Sequence, residues 1–474
     1  MPTETTVRPQ QAARPFVAPA GSNAVVTLAA IGLVVGLVYL GTTNDLVVGL
    51  VTVGAALYIA LLAVLGSTRL GILTLAGAFA TAPAYKGLAP EGATVTPTDA
   101  LLVVGFALLL PEILRGKLKL PLPYIVGITV VFTFGWIATI RSERSLESAF
   151  ALIFWLIVMT AFPIGILLWR PARRVIHFLA WTYVAGHIAS WAGGIVTGGI
   201  TPQGRHFGMT NHPNYFAEAA IMAIALLMFL FFEYQHWLLR TAVMGAAAMC
   251  GISILFSGSR GATIIVAVLV LMIPIVERSA ITGFFYALVG ATVVAAAPYL
   301  LEITGNASAI DRLLGGGSAS GSDIARSEGL RDGLSRFWES PFFGEGLIDL
   351  FEIHNNVLQA AVGIGIFGLV GFLMVMFSLA RPLFEDVPYR RLCYTVWGYL
   401  GWGLLIPSLY DRTLWIPMCL AAVCWVAAAD WGDDHPDRAR STALAGPGGA
   451  DAAGTTDTTE TTDTTDTTDT MARN

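Results

Sequence analysis

Charge is scarce in this sequence. Only 12% of the residues are Asp, Glu, Lys or Arg against 55% hydrophobic ones, too few to cover a soluble globule of 474 residues. The mean hydropathy of +0.69 points the same way, to an integral membrane protein. Cysteine is also rare: Cys250, Cys393, Cys419 and Cys424 all lie inside apolar runs, where a free thiol behaves as a small hydrophobe, so neither a disulfide framework nor a thiolate metal site is expected. The first apolar run follows a polar stretch, Met1 to Ser22, and reaches Gly41-Thr42-Thr43 without a small-x-small cleavage pattern. It reads as a retained helix rather than a signal peptide.

What is present is a succession of apolar runs. A spanning helix needs about 17 to 25 apolar residues, which predicts spans near 24–40, 46–65, 70–84, 99–113, 121–139, 149–169, 176–198, 214–232, 240–256, 261–276, 281–301, 355–379, 393–409 and 413–428. The runs at 70–84 and 99–113 are short enough to be re-entrant or tilted, giving about 12–14 spans in an all-α polytopic protein. The transmembrane domain is then 23–429, flanked by a polar N-terminal tail (1–22) and an acidic segment (430–474) that ends in Thr-Thr-Asp repeats. Both flanks are expected to be disordered, because neither composition can bury a core.

Twelve Lys and Arg residues fall in one alternate set of connections, from Arg69 to Arg391, and six in the short connections of the other: Lys86, Arg141, Arg144, Arg205, Arg260 and Arg412. The positive-inside rule puts the richer set, and both termini, in the cytoplasm of a cell whose plasma membrane holds the protein. The remaining connections, including the long one at 302–353, are then external. Asp-x-Asp is missing from those external connections.

Four polar pieces stand out on that face. Gly204 to Ala217 is a loop running into a span, with Pro213 suited to a first helical turn and Asn211 or His212 near its cap; Arg205 and His206 are not explained by helix initiation. Ser257-Gly258-Ser259-Arg260-Gly261 joins two spans with almost no loop. Arg260 there either snorkels to the interface or, with small neighbours that let a bulky anion approach, offers its planar fork to two phosphate oxygens. Ser322 to Trp338 reads as an amphipathic helix with Asp323 as N-cap and Ile324, Leu330, Leu334, Phe337 and Trp338 on one face, lying on the bilayer or covering a site. His354-Asn355-Asn356 opens an apolar span that continues through Gly363-Ile364-Gly365-Ile366-Phe367-Gly368. Such polar groups are costly to insert into lipid, and an imidazole suits proton transfer near neutral pH.

In this order the pieces resemble the O-antigen ligase and polymerase superfamily: Gly208 to Ala217 with its Asn-His-Pro-Asn core, the Ser259-Arg260-Gly261 turn, Arg326 to Gly346, and His354 to Gly368. The resemblance covers roughly Arg205 to Met376. It implies a GT-C-like membrane glycosyltransferase, inverting and metal-independent, with no cofactor. The implied donor is a glycan on a polyprenyl (undecaprenyl or dolichyl) diphosphate and the implied acceptor a hydroxyl of a glycan, lipid or protein. Carried over, Arg205, Arg260 and Arg326 hold the diphosphate and His354 serves the acceptor hydroxyl. His206, Asn211, Asn214, Ser259 and Asn355 support them, with His206 or His212 as alternatives in the place of Arg205. Physically, arginine can stabilise departing phosphates without a metal, although Glu345, Asp349 and Glu352 at helical spacing offer an alternative cation site. A transporter or flippase of lipid-linked glycans is the competing class, disfavoured by polar residues gathered at one face and by two halves without an evident repeat. The bilayer is the expected surrounding, and no nucleic acid is expected.

Overall fold

The computed structural model describes residues 46–89, 95–281 and 319–426 throughout, together with isolated positions within 31–39 and 283–312. Both expected tails, most of the runs 24–40 and 281–301, and most of 302–318 lie outside the described residues. Among the described residues every regular element is helical, apart from one isolated bridge between Ile200 and His206.

We number the longer helices α1 (Leu46–Thr81), α2 (Pro97–Ile113), α3 (Leu122–Arg141), α4 (Ser145–Trp169), α5 (Arg173–Thr197), α6 (Pro213–Glu233), α7 (Trp237–Ser257), α8 (Arg260–Val276), α9 (Ala319–Glu339), α10 (Asn356–Ala380), α11 (Tyr394–Gly403) and α12 (Arg412–Met418). Among the described residues six stretches are long and apolar enough to cross a bilayer: Thr52–Leu88, Leu122–Arg141, Ser145–Trp169, Pro213–Glu233, Trp237–Ser257 and Asn356–Phe384. This is the pattern of a multi-pass membrane protein.

The 12–14 expected spans include 24–40 and 281–301, which lie mostly outside the described residues; among the rest, several runs fall short of a separate span for local reasons. Runs 46–65 and 70–84 belong to one helical stretch broken only at Gly66, whose φ of 77° suits a residue without a side chain. The run 393–409 is helical for 10 residues, about half a bilayer at 1.5 Å per residue, before the Gly401-x-Gly403 and Pro407 region ends it. The run 413–428 is a 7-residue α-helix, interrupted by Pro417, that tightens into a 3-10 segment, Cys419–Trp425.

α6 is the axis of the bundle, buried without interruption from Phe216 to Leu230 as befits a helix that is apolar all round. α3 and α10 approach backbone to backbone: a Cβ at Gly127 would stand 2.7 Å from Gly371 O, and one at Gly371 2.8 Å from Gly127 O. α10 is itself broken at Gly365 (φ 71°), and the chain between α9 and α10 fills the break. Glu345 N donates to Val362 O (3.0 Å), Gly346 N to Gly363 O (3.0 Å) and Ile366 N to Pro341 O (2.8 Å). Non-helical backbone is tolerated at such depth only when its polar groups are satisfied in this way. A side chain at Gly365 would fall onto Phe342 O, which accounts for the glycine spacing after His354.

Candidate functional site

α7 ends at Gly258 in the left-handed conformation (φ 65°) and α8 begins two residues later, with Ser259 as a buried, extended N-cap. Ending a helix so abruptly leaves carbonyls without intrahelical partners, and arginines take them. Arg205 Nε donates to Ser257 O (2.8 Å) and Arg312 Nη1 to Gly258 O (2.7 Å), while the His206 amide donates to Phe256 O (2.9 Å). Arg260 at the head of α8 pairs with Asp323 of α9, and Arg326 Nη1 lies 3.9 Å from the same carboxylate. Four guanidiniums thus gather around one turn, two on helix-end carbonyls and two on the Asp323 carboxylate. Burial, then repulsion from Arg312 and Arg326, lowers the Arg205 pKa to about 10. Burial and neighbouring guanidiniums likewise lower Arg312 and Arg326, while the hydrogen bond from Arg260 holds Asp323 below its ordinary value. The cluster carries more positive charge than its own carboxylate offsets.

Three histidines at this end differ in which nitrogen carries the proton, because each has one nitrogen committed. His354 Nδ1 lies 2.8 Å from Glu352 O, which only accepts, so Nδ1 is the donor and Nε2 keeps its lone pair. His212 Nδ1 accepts from the Asn214 amide (3.1 Å), and His206 Nδ1 accepts from Trp191 Nε1 (3.4 Å), so in the neutral rings of both the proton sits on Nε2. Burial first, then Arg205 and Lys86, lowers the His212 pKa to about 4, and burial lowers His206. Of the three, His354 alone keeps its lone pair on Nε2. It packs beside Gly329, one turn along α9 from Arg326, where a Cβ would collide with Glu352 O.

The other expected residues divide. Asn214 accepts from Arg205 Nη2 (3.2 Å) and belongs to the cluster. Asn355 caps α10 through the Leu358 amide (3.0 Å) and reaches Leu404 O (3.4 Å), bracing His354. Asn211 is not at the arginines. It lines a neighbouring cavity of about 350 Å³, together with Tyr85, Lys86, Tyr215, Gln359, Ser408 and Asp411. Glu345 and Asp349 do not converge on a cation position: Arg336 takes the first and Arg144 the second.

Lys86 and Asp411 on the wall of that cavity, with Glu218 beside Lys86, form a group the sequence reading missed. Lys86 Nζ lies 2.5 Å from Asp411, 3.8 Å from Glu218 and 3.0 Å from the centre of the Tyr215 ring. Glu218 is fully buried within α6 and accepts from Trp402 Nε1 (2.7 Å). Asp411 caps α12 through the Thr413 amide (2.9 Å); burial would raise its pKa, and Lys86 outweighs burial and holds it down. Arg412 beside it pairs with Asp99 (2.9 Å). The signal for this group is a lone carboxylate in an apolar span, Glu218, which lipid tolerates only with a partner. The partners Lys86 and Asp411 lie far from it in sequence. The Asn211-His212-Pro213-Asn214-Tyr215 turn joins the two places, with Asn214 on the arginine cluster and Asn211 and Tyr215 on the cavity wall.

No family model, curated protein or solved structure matches the chain.

Proposed function

We propose that the protein is a GT-C-like membrane glycosyltransferase that moves a glycan from a polyprenyl diphosphate carrier to an acceptor hydroxyl, in the manner of the O-antigen ligases and polymerases it resembles. The observation that carries this reading is the gathering of Arg205, Arg260, Arg312 and Arg326 around the Gly258 turn, where Asp323 pairs with Arg260 and Arg326. Planar guanidiniums match the oxygens of a diphosphate, and their charge is best used when that diphosphate departs. His354 supplies the other half of the reaction. Its Nε2 takes the acceptor proton, the acceptor oxygen bonds the anomeric carbon, the bond from that carbon to the diphosphate oxygen breaks, and the carrier leaves as its diphosphate held by the arginines. An in-line displacement of this kind inverts the anomeric centre. The cavity lined by Asn211 and Tyr215 mixes aromatic and polar side chains in its walls, a combination suited to a sugar ring. The Lys/Arg asymmetry puts the reaction on the external face of the plasma membrane, with both termini in the cytoplasm.

A buried carboxylate on a spanning helix, Glu218, also fits a flippase of the same lipid-linked glycan. Both readings are tested by reconstitution in vesicles with a labelled lipid-diphosphate glycan and candidate acceptors, with and without chelator. Transfer that survives chelator and is lost in Arg260→Ala and His354→Ala supports the enzyme. Transfer intact in both variants removes the site, and glycan crossing without transfer favours the flippase.

A further inference from the structure

We propose that α9 is an interfacial helix whose outer ridge, Leu330, Leu334 and Trp338, is seated in the acyl-chain margin of the bilayer. These residues follow at i, i+4 and i+8 and therefore stand in one row. All three are exposed, Trp338 at 72%, and Ile324 extends the apolar side. The other two sides of the helix have different tasks. One is fastened to the protein: Gly329 and Gly333 are buried against Glu352 O, Ile353 and Leu358, and Arg336 pairs with Glu345 and donates to Ile348 O and Asp349 O. The third carries Glu328, Asp332 and Glu339, which are exposed and suited to water.

The occupant of the ridge follows from where the chain goes next. Four residues beyond Trp338, exposed Phe342 stacks on Phe367 of α10 (6.1 Å, 27°), and Pro341 O accepts from the Ile366 amide. Phe367 begins an exposed apolar row on α10 that continues through Val370, Leu373 and Phe377, within a stretch long enough to span a bilayer. In a spanning helix such a row faces lipid. Phe343 stacks on Phe134 of α3 in the same way (6.3 Å, 20°). The outer face of α9 thus continues a lipid-facing surface, with a tryptophan at the join, where indoles collect at membrane interfaces. Eight residues of helix span about 12 Å, too small a patch to hold a second protein by itself. The seat fixes the depth of Arg326, one turn before Leu330, at the phosphate level of the lipid headgroups. The use of that depth for a lipid-borne diphosphate rests on the proposed function; the seat does not.

The test is optical. The four native cysteines are buried, so Leu334→Cys, Trp338→Cys and Glu328→Cys are each labelled with an environment-sensitive fluorophore. The full-length protein is placed in phosphatidylethanolamine–phosphatidylglycerol nanodiscs that contain lipids with a nitroxide high on the acyl chain. Labels at 334 and 338 should be quenched by the nitroxide lipid about twofold more than the label at 328 and shielded from aqueous iodide. Equal lipid quenching at the three positions overturns the proposal. It does so whether 334 and 338 are open to iodide, meaning water, or closed to it, meaning a protein cover. The readout needs no transferase activity, so it can fail or succeed independently of the enzyme reading.

Discussion

The two ends of α8 hold arginines in opposite ways. At the far end Glu277 accepts from Arg391 at 2.8 and 2.7 Å and from Arg390 at 3.4 Å. Burial works against the charge of Arg391, yet Glu277 outweighs burial and raises its pKa, while burial of Glu277 is outweighed in turn and its pKa falls. At the near end four guanidiniums gather, Arg260 and Arg326 on Asp323 and Arg205 and Arg312 on helix-end carbonyls, and Arg205, Arg312 and Arg326 are all pushed down. Where a carboxylate raises its arginine against burial, as Glu277 does for Arg391, the ion cluster reads as a structural lock. One that leaves positive charge uncompensated is arranged for an anion that comes and goes.

The largest effect should come from removing charge at the near end. Arg260→Ala is expected to slow transfer by about 10²- to 10³-fold with little change in folding, as loss of one transition-state donor does elsewhere; steady-state rates in vesicles check it. His354→Ala should cost about 10²-fold, whereas His212→Asn, which keeps an acceptor to cap α6 and loses only the imidazole, should cost clearly less. Equal losses would break the tautomer assignment.

The Glu277 end should respond in stability instead. Glu277→Gln strands two guanidiniums and should destabilise the protein by about 2 kcal/mol, read as a lower Tm with the transfer rate of the folded fraction intact. Asp323→Asn removes an exposed carboxylate and should move stability by less than about 0.5 kcal/mol while tightening pyrophosphate binding. A large loss of Tm in Asp323→Asn would erase the distinction between the two ends.

The smallest effect concerns pH. His212 is neutral in the fold down to about 4, whereas an unfolded histidine is half-protonated near ~6.5. Between those values the unfolded chain binds more protons, so the contribution of His212 to stability is complete above that window and is lost as pH falls through it. The drop in Tm from pH 7 to pH 5 should be smaller in His212→Asn, which keeps a capping side chain.

Much of this was legible in the sequence, because it depends on local chemistry. The helix of 322–338 is found at Ala319–Glu339, and Pro213 opens α6 with His212 as its cap. The grouping of Arg205, Arg260 and Arg326 came only from the resemblance, not from local chemistry; in the fold Arg326 lies near both of the others. The side of α9 that meets the protein was not legible. The apolar residues suggest an inward face, yet Gly329 and Gly333 make the contact, because only glycine lets α9 approach Glu352 O so closely. Arg312 was missed since nothing in its own segment marks it; its role is set by Gly258 O, 54 residues away. The Lys86–Glu218–Asp411 group was missed for the same reason, its members being brought together only by packing around α6.

The central claim is tested most directly by titrating inorganic pyrophosphate into the reconstituted protein and measuring Kd for wild type, Arg260→Ala and Glu277→Gln. The uncompensated cluster predicts a Kd weakened at least about tenfold in Arg260→Ala, the equivalent of ~1.4 kcal/mol, and unchanged in Glu277→Gln. Equal affinity in all three proteins would contradict it.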